Sequence, residues 1–453
     1  MGRSQNVLSD PSLLILITYA PAGLGHLRVA DALRHGLPKD ANVMVLGAEE
    51  TSLTYLHRFI SIHPVARELF EWGQKGAQEE IFTRLYRGFL RKRAETVYEE
   101  MMKLISHAKN TIKTMLVVAT HMGLAHQLAK VKKRIERETG VSIILVVQVT
   151  DDSPMKAWYV EEADLILAPS EYTRKALYAY AQRAGLDAVP TEFSPYPVSP
   201  FLSDSLDAGR YESRYMQVDP HDKSNVDILI PISGAAVGTK FFQRLIEILH
   251  ERSPRFVFHV VSKEAPFTQT FLKKVTKYPF VDLHASDKDR ALVDMYEEVY
   301  RREVVSLEIT KPSEQSFKAL VNPTQIGGSI LLLTSPVGRQ EQDNLVFLRR
   351  HNLIPKTDEQ RLLWEQATKG TGLSNSDGRK FLEQAVGWRG VELPRKPEAA
   401  SDFIMFCLNE GIFKAMMTCC VIPNPNDQYA DEIKPNGVEE FWKKAAALLQ
   451  RKK

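Results

Sequence analysis

Two stretches of the chain share one order of elements: a short apolar run, a segment of small residues and an amphipathic helix. The first occupies residues 13–36 and the second occupies residues 226–250. Similar apolar runs alternate with helical spacing along much of the chain, which is the pattern of parallel strands joined by crossover helices. The sequence therefore predicts an α/β fold with two Rossmann-like domains.

Further strands are predicted wherever a short apolar run is bounded by turn-forming residues. With the run at 13–18 they lie at residues 43–46, 115–120, 143–149, 165–168, 226–232, 256–261, 304–309 and 330–334. A stretch rich in Pro and Ser breaks regular structure and predicts a linker. The predicted parts are a first domain at 1–190 with a helical insertion at about 55–110, a linker at 191–225, a second domain at 226–435 with an additional region after about 352, and a final helix at 436–453.

The composition narrows the class of protein. The 453 residues carry 59 Lys and Arg against 56 Asp and Glu, so the overall charge gives no reason to expect nucleic acid binding. The three cysteines, Cys407, Cys419 and Cys420, have no metal-binding or cross-linking spacing, and a reducing cytoplasm is expected. The early apolar run is far shorter than the roughly 20 residues of a membrane-spanning helix, so an integral membrane protein is not expected.

A glycine segment, Gly23-Leu24-Gly25-His26, follows the first predicted strand. Glycines at this position let the backbone approach a ligand and present amides to it. His26 adds a group that can accept a proton near neutral pH. A plain strand-to-helix turn explains the glycines alone about as well.

A second small-residue segment runs from Ser233 to Lys240 and includes Gly234, Gly238 and Thr239. It resembles a phosphate cradle, because small residues expose consecutive amides. It is not a Walker A loop, since the spacing of its glycines and the order of Thr239 and Lys240 differ from that motif. The alternative is a tight turn without a ligand.

Polar side chains also follow the two strands predicted at 304–309 and 330–334. They are Lys311, Ser313 and Glu314 after the first strand and Gln340, Glu341 and Asn344 after the second. In open parallel sheets, ligands bind at the carboxyl ends of strands. Pro312 suits an early helical position, so a helix N-terminus that favours an anion is predicted here. Taken singly, these residues are ordinary caps and loop residues.

Two other segments have competing interpretations. Asp151 and Asp152 are adjacent and therefore point apart, which favours loop or helix capping over a metal pair, and no metal is expected.

The segment 81–93 combines five cations with aromatic residues and has no acidic residue. It suits an anionic membrane surface or, nearly as well, a basic helix packed on its own domain.

In this order the pieces resemble the GT-B glycosyltransferases, in particular the diacylglycerol glycosyltransferases and the lipid-linked N-acetylglucosaminyltransferase of peptidoglycan synthesis. The matching segments, which span residues 13 to 350, are 23–26, Thr150-Asp151 with Trp158, 168–171, 196–201, 311–320 and 340–344. They resemble, in turn, the family's glycine-histidine loop, its Thr-Asp and Pro-Ser-Glu segments, its interdomain crossing and its two donor motifs.

The resemblance implies two domains that face each other across a cleft, with the final helix packed back on the first. It implies transfer of a hexose, with inversion, from a nucleotide sugar, UDP being the expected nucleotide, to a hydroxyl acceptor that includes lipids. The nucleotide sugar is a substrate, and no cofactor is expected. His26 is the candidate base and Asp151 the second candidate, while Lys311 and the amides near Gly234 to Thr239 would stabilise the leaving diphosphate.

Several positions depart from the family pattern. The family's two glycines after Lys-Pro are Ser313 and Glu314, and its Glu before Ala-Leu is Lys318. Two alternatives therefore accompany the transferase: a nucleotide-sugar 2-epimerase of the same fold, and an inactive GT-B protein that binds a nucleotide sugar or acts as a scaffold.

Overall fold

The computed structural model describes residues 7–19, 24–47, 78–108, 111–232, 236–370, 372–373, 375–418 and 429–452. Contacts divide the chain into two compact units, Met1–Pro200 with Pro425–Lys453, and Phe201–Asn424. Each unit contains one six-stranded sheet whose neighbouring strands are all parallel. The predicted α/β class with two Rossmann-like domains is confirmed.

The first unit alternates strands and helices along the chain. Its elements are β1 (Leu13–Tyr19), α1 (Leu24–His35), β2 (Val43–Gly47), α2 (Gln78–Lys92), α3 (Ala94–Ser106), β3 (Thr114–Ala119), α4 (Met122–Thr139), β4 (Ser142–Gln148), β5 (Leu165–Ala168), α5 (Glu171–Ala184), β6 (Thr191–Phe193) and the C-terminal helix (Gly437–Lys452). The strand order is β2-β1-β3-β4-β5-β6. The central strands β1, β3 and β4 are buried almost throughout, as expected for apolar runs covered on both faces.

The C-terminal helix packs on α1 within this unit. Trp442 Nε1 donates a hydrogen bond of 2.8 Å to the carbonyl of Leu33. A Cβ on Gly36, just after α1, would come within 2.1 Å of Val438 Cγ1, so the close approach of the two helices requires glycine there.

The second unit has the same alternation. Its elements are α6 (Pro200–Ser203, at the boundary), α7 (Ala208–Gln217), β7 (Val226–Pro231), α8 (Thr239–Arg252), β8 (Phe256–Lys263), α9 (Gln269–Val275), β9 (Val281–Ser286), α10 (Asp289–Arg302), β10 (Leu307–Thr310), β11 (Ile330–Leu333), α11 (Arg339–Arg350), α12 (Thr357–Lys369), α13 (Asn375–Ala385), β12 (Gly390–Glu392), α14 (Pro397–Asn409) and α15 (Ile412–Met417). The strand order is β12-β11-β10-β7-β8-β9.

The segment predicted as a linker, 191–225, contains regular structure. Its first residues form β6, which pairs with β5 in the first sheet, and residues 208–217 form α7 in the second unit. Asp207 caps α7 by accepting hydrogen bonds from the amides of Gly209 and Arg210. Of the prolines that suggested a linker, Pro195, Pro197 and Pro200 lie between these two elements, whereas Pro190 precedes β6 and Pro220 follows α7.

The region after residue 352 completes the second domain. Its strand β12 pairs with β11 at the edge of the sheet, and α14 contributes fully buried Phe403 and Ile404 to the core of this unit. The predicted insertion at 55–110 is helical at α2 and α3, and residues 48–77 lie outside the described residues. In the described part of the chain, no helix is long and apolar enough to cross a membrane.

Candidate functional site

The strand order of the first sheet places a ligand-binding edge beside β1 and β3. The chain leaves β1 toward β2 on one side and returns to β3 on the other, so these two strands form the topological switch point. Ligands of open parallel sheets bind outside the carboxyl ends of the strands at such a point. His26 follows β1 in the chain, His121 follows β3 and Thr150 follows β4.

These three side chains meet. His26 Nδ1 lies 3.1 Å from Thr150 Oγ1, and the rings of His26 and His121 pack edge to face with centroids 4.9 Å apart. The Thr120 hydroxyl lies 3.0 Å from the carbonyls of both His26 and Thr18 and shares its one hydrogen between them, which links α1 to β1. His26 is half-buried, and His121 is buried. The group has two imidazoles and a hydroxyl but no carboxylate among these contacts.

The glycine segment differs from its prediction. Helix α1 begins at Leu24, so Gly25 and His26 lie in its first turn and not in a loop that precedes the helix. Gly23 lies outside the described residues. His26 is consequently fixed by helical backbone as well as by Thr150.

The two adjacent aspartates have separate environments. Asp152 is buried and accepts hydrogen bonds from the hydroxyls of Ser170 and Thr173, the latter at 2.7 Å, at the start of α5. Ser170 caps α5 by accepting from the amide of Thr173. Asp152 therefore holds the hydroxyls of the cap residue Ser170 and of Thr173, and Ser170 is the residue that caps α5. Asp151 is 9% exposed and directly follows Thr150.

The second sheet has its switch point between β7 and β10, by the same reasoning. The segment after β7 leads into α8, whose N-cap is Gly238 with a φ of 92°, a conformation that favours glycine. Ala236 also has a positive φ, 50°, which costs about 1–2 kcal/mol for a residue with a Cβ. Thr239 opens α8, and no described side chain caps it. Gly234 lies outside the described residues.

The strand-end residues of β10 and β11 converge although about thirty positions separate them in the chain. Lys311 Nζ lies 4.0 Å from Glu341 Oε1, and Glu341 Oε2 accepts a hydrogen bond of 2.6 Å from the amide of Val337. Asn344 is fully buried and donates to the carbonyl of Pro312 at 3.2 Å. The two segments thus form one site at the switch point.

The remaining predicted residues of this site are neighbours of these residues in the sequence. Ser313, Glu314 and Gln340 are half-buried. The helix expected after Pro312 is a 3-10 helix of seven residues, Glu314–Leu320. In it, the buried Gln315 accepts a hydrogen bond from the hydroxyl of Tyr296, and the hydroxyl of Ser316 donates to the carbonyl of Ser313. The α-helices that follow β7 and β11 at this edge are α8 and α11.

Lys318, at the position where the GT-B motif that the sequence resembles has Glu, points into the protein interior. Its side chain is 4% exposed, and its ammonium group lies 2.5 Å from the fully buried carboxylate of Glu308. It also donates to the hydroxyl of Tyr300. Burial, followed by the charge of Glu308, raises the pKa of Tyr300 well above its usual value. This position is therefore structural.

The basic segment 81–93 coincides with most of α2, and two of its arginines bond to other residues of the first unit. Arg87 donates to the carbonyls of Lys156 and Tyr159, both at 2.8 Å, and Arg91 forms a two-pronged pair with Glu162. Burial lowers the pKa of Arg87. Outward-facing residues remain, namely Arg84, Leu85, Phe89, Lys92 and Arg93.

The sequence analysis did not predict His121 as a site residue, because it appears there only as a lone histidine after a strand. Its position directly after β3, which neighbours β1 at the switch point, would have indicated it. Recognising it requires the strand order, which the sequence pattern does not specify.

Comparison with known proteins finds similarity in structure and not in sequence. No family model matches the chain, and no curated protein does. A Neisseria meningitidis UDP-GlcNAc 2-epimerase bound to UDP-GlcNAc has a TM-score of 0.48 at 9% identity, covering 96% of this chain and 99% of that chain. An Arabidopsis thaliana protein complexed with UDP-L-rhamnose has a TM-score of 0.46 at 10% identity, covering 96% and 98%. A Polygonum tinctorium UDP-glucosyltransferase has a TM-score of 0.42 at 10% identity, also covering 96% and 98%.

Proposed function

We propose that this chain transfers a hexose from a nucleotide sugar, with UDP as the expected nucleotide, to a hydroxyl acceptor with inversion at the sugar carbon. The observation that carries the proposal is the convergence of Lys311, Glu341 and Asn344 at the switch point of the second sheet. These residues belong to the two segments that resemble the donor motifs of GT-B glycosyltransferases.

The donor site would stabilise a diphosphate without a bound metal. Lys311 supplies a cation, and the first amides of α8 and α11 supply hydrogen-bond donors with the positive ends of two helix dipoles. Gln340, Glu341 and Asn344 would hold hydroxyls of the sugar. Ser313 and Glu314 would face the ribose.

The acceptor proton would be removed by His26. If its Nδ1–H donates to Thr150 Oγ1 across their 3.1 Å separation, the lone pair remains on Nε2, the tautomer that a base requires. Thr150 is then a positioning residue for His26. Asp151, next to Thr150, is the second candidate for the base.

Calorimetric titration of the full chain with UDP tests the donor site. Lys311→Met removes a charge-assisted contact worth about 1.5–3 kcal/mol and should weaken UDP binding about 10- to 150-fold. Lys414→Met is the matched control, because Lys414 is an ion-paired lysine of the same unit that contacts Asp219 instead. Absence of UDP binding by the wild type, or equal binding by both variants, would contradict the site.

Donor turnover tests the chemistry. His26→Ala should lower the rate of sugar transfer about 10²- to 10⁴-fold and leave UDP affinity nearly unchanged. Thr150→Val should lower the rate less and shift its pH profile. Normal turnover by folded His26→Ala would remove His26 as the base and direct attention to Asp151.

A nucleotide-sugar-binding protein without transferase activity is the second candidate. The observation that favours it concerns Lys318, which stands where the resembled GT-B motif has Glu. Because Lys318 is paired with the buried Glu308, no carboxylate is available at that position for the donor. Tight UDP binding with neither hydrolysis nor transfer of the sugar would support this candidate. Conversion of UDP-GlcNAc to its 2-epimer would support an epimerase instead.

For the acceptor, we propose a lipid that carries the hydroxyl group. This proposal is supported by the exposed face of α2, on which Leu85 is 70% and Phe89 is 41% exposed, and where Arg93 lies 4.6 Å above the Phe89 ring. Membrane attraction is worth about 1 kcal/mol per basic residue near an anionic surface. The wild type should sediment with anionic vesicles at low salt, and the variant Arg84→Ser/Arg93→Ser should sediment less. Absence of wild-type binding would favour a soluble acceptor.

A further inference from the structure

A cluster of two histidines and a carboxylate lies on one face of the second sheet, outside the proposed donor site. It consists of His259 on β8 and of Asp282 and His284 on β9, and we call it the β8–β9 cluster. His259 is paired with Asp282 in the sheet register, and Val261 is paired with His284. Because side chains alternate along strands, the three residues project from the same face.

The ligand-forming atoms of the β8–β9 cluster are close enough for one ion. His284 Nε2 lies 2.9 Å and His259 Nδ1 lies 3.7 Å from Asp282 Oδ2, and the three atoms all lie within 4.8 Å of one another. Ligand atoms about 2.0–2.1 Å from a tetrahedral Zn²⁺ stand roughly 3.3 Å apart, so small rotations would bring the cluster to this geometry.

His259 provides an independent indication of a ligand. The residue is 4% exposed, and its buried Nδ1 has no hydrogen-bond partner in the described part of the chain. Its other nitrogen, Nε2, lies 2.9 Å from Asp227 Oδ1, and Gln217 donates a hydrogen bond to the other oxygen of Asp227. A carboxylate that accepts Nε2–H leaves the lone pair on Nδ1, directed toward Asp282.

We propose that the β8–β9 cluster binds a divalent transition ion of the zinc class, with His259 Nδ1, the Asp282 carboxylate and His284 Nε2 as ligands and Asp227 orienting His259. Imidazole donors with one carboxylate suit Zn²⁺ and not Mg²⁺ or Ca²⁺, which take oxygen ligands. The side chain of Asp282 is 55% exposed and that of His284 is 22% exposed, so an ion can enter from solvent and water can complete its coordination.

The position of the cluster indicates a role other than sugar transfer. Strand β9 is the edge of the sheet, and the three ligands lie within the strands, whereas the donor site lies after the carboxyl ends of β10 and β11. An ion here joins the edge strand to β8, which itself pairs with β7. The metal therefore stabilises the edge of the second sheet, and its binding is independent of nucleotide binding.

Titration of the untagged full chain with Zn²⁺, and the visible absorption spectrum with Co²⁺, test the proposal. The wild type should bind one ion in the micromolar range or tighter and give the intense Co²⁺ bands of four-coordinate nitrogen and oxygen ligation. His284→Ala and Asp282→Asn should weaken binding more than tenfold. Asp227→Asn, which leaves all three ligands in place, should weaken it about 10- to 100-fold. Mg²⁺ should not bind.

Two matched controls locate the site. His221→Ala removes an exposed histidine of the same unit, and Glu303→Gln removes a carboxylate that lies near Asp227 and His259 and could form a different ligand set. Both should bind Zn²⁺ like the wild type. Circular dichroism checks that each variant is folded, and His284→Ala changes a partly exposed side chain and should fold.

Three binding results and one spectroscopic result would overturn the proposal. The three binding results are absence of one-to-one Zn²⁺ binding by the wild type, wild-type affinity in folded His284→Ala and Asp282→Asn, and loss of binding in Glu303→Gln. A thiolate charge-transfer band in the Co²⁺ spectrum would assign the ion to cysteines and overturn it as well. None of these results bears on UDP binding, so the donor site and the metal site are tested separately.

Discussion

Replacing Lys318 distinguishes a structural ion pair from a contact to the proposed donor, at the position where the resembled GT-B motif has Glu. The Lys318 ammonium group lies 2.5 Å from a fully buried carboxylate oxygen of Glu308. In Lys318→Met that carboxylate keeps the hydroxyls of Tyr296, at 2.9 Å, and Tyr300, at 2.7 Å, as hydrogen-bond donors. It loses its cation, and the charge remains buried.

The size of the effect follows from these contacts. Removing one partner of a buried ion pair costs about 3–5 kcal/mol, and the two tyrosine hydroxyls place Lys318→Met near 3 kcal/mol. The double variant Lys318→Met/Glu308→Gln removes the buried charge and keeps an acceptor for the tyrosines, so its cost should be about 1 kcal/mol. We therefore expect the second substitution to restore about 2 kcal/mol. UDP affinity of the double variant should equal that of the wild type.

Hydrogen exchange read by mass spectrometry is the suitable assay, because the two units need not unfold in one transition. Peptides covering residues 304–334 report the opening free energy around Glu308, and calorimetry reports UDP binding. Equal protection in Lys318→Met and the wild type, or no recovery in the double variant, would refute the account of the ion pair. Loss of UDP binding by the folded double variant would show that Lys318 acts in the donor site.

Two further predictions concern buried groups of the first unit. Burial, and then the charge of Arg87, lower the pKa of His126 to about 3, although His126 Nε2 donates a hydrogen bond to the carbonyl of Ala157. The unfolded chain binds a proton at His126 from about pH 6.5 downward, and the folded chain does not. The free energy of unfolding should therefore fall by about 1.4 kcal/mol per pH unit below pH 6.5, or about 2 kcal/mol by pH 5. Urea unfolding should show this loss in the wild type and not in His126→Gln, and parallel pH dependence of both would contradict it. Asp152→Ala leaves the Ser170 and Thr173 hydroxyls without this acceptor and should cost about 2–3 kcal/mol, seen as faster hydrogen exchange throughout α5. Unchanged exchange would contradict the role of Asp152 in holding the Ser170 cap.

Most of the fold was predictable because strands buried on both faces are continuous apolar runs. The prediction of β5 at 165–168 matches the strand Leu165–Ala168. Strands without such runs were missed: β9 reads Val-Asp-Leu-His-Ala-Ser at a half-exposed edge, and β12 has three residues. Helix α7 was missed because neighbouring prolines dominated the composition of the segment at 191–225.

The candidate sites were predictable only in part. The Lys311 and Gln340-Glu341 segments follow apolar runs, and parallel strands bring their ends together. The orientation of Lys318 was not predictable, since nothing local to its sequence indicates that Glu308 lies beneath it. The β8–β9 cluster was not predicted for a similar reason. Its residues come from two strands, and only the register of these strands brings them together.

The ion pairs at the carboxyl edge of the second sheet determine how a diphosphate would bind there. Lys311 pairs with Glu341, Arg339 pairs with Asp343, and Lys263 pairs with Asp289, so each of these cations already has a carboxylate. The Lys311–Glu341 separation of 4.0 Å is the longest of the three and therefore the easiest to exchange. In the proposed donor site, a diphosphate that takes Lys311 would free Glu341 Oε1 to accept from sugar or ribose hydroxyls, while Glu341 Oε2 keeps the amide of Val337. Since one anion would replace another at Lys311, recognition would depend on the amides of α8 and α11 and on the freed oxygen as well as on the charge of Lys311.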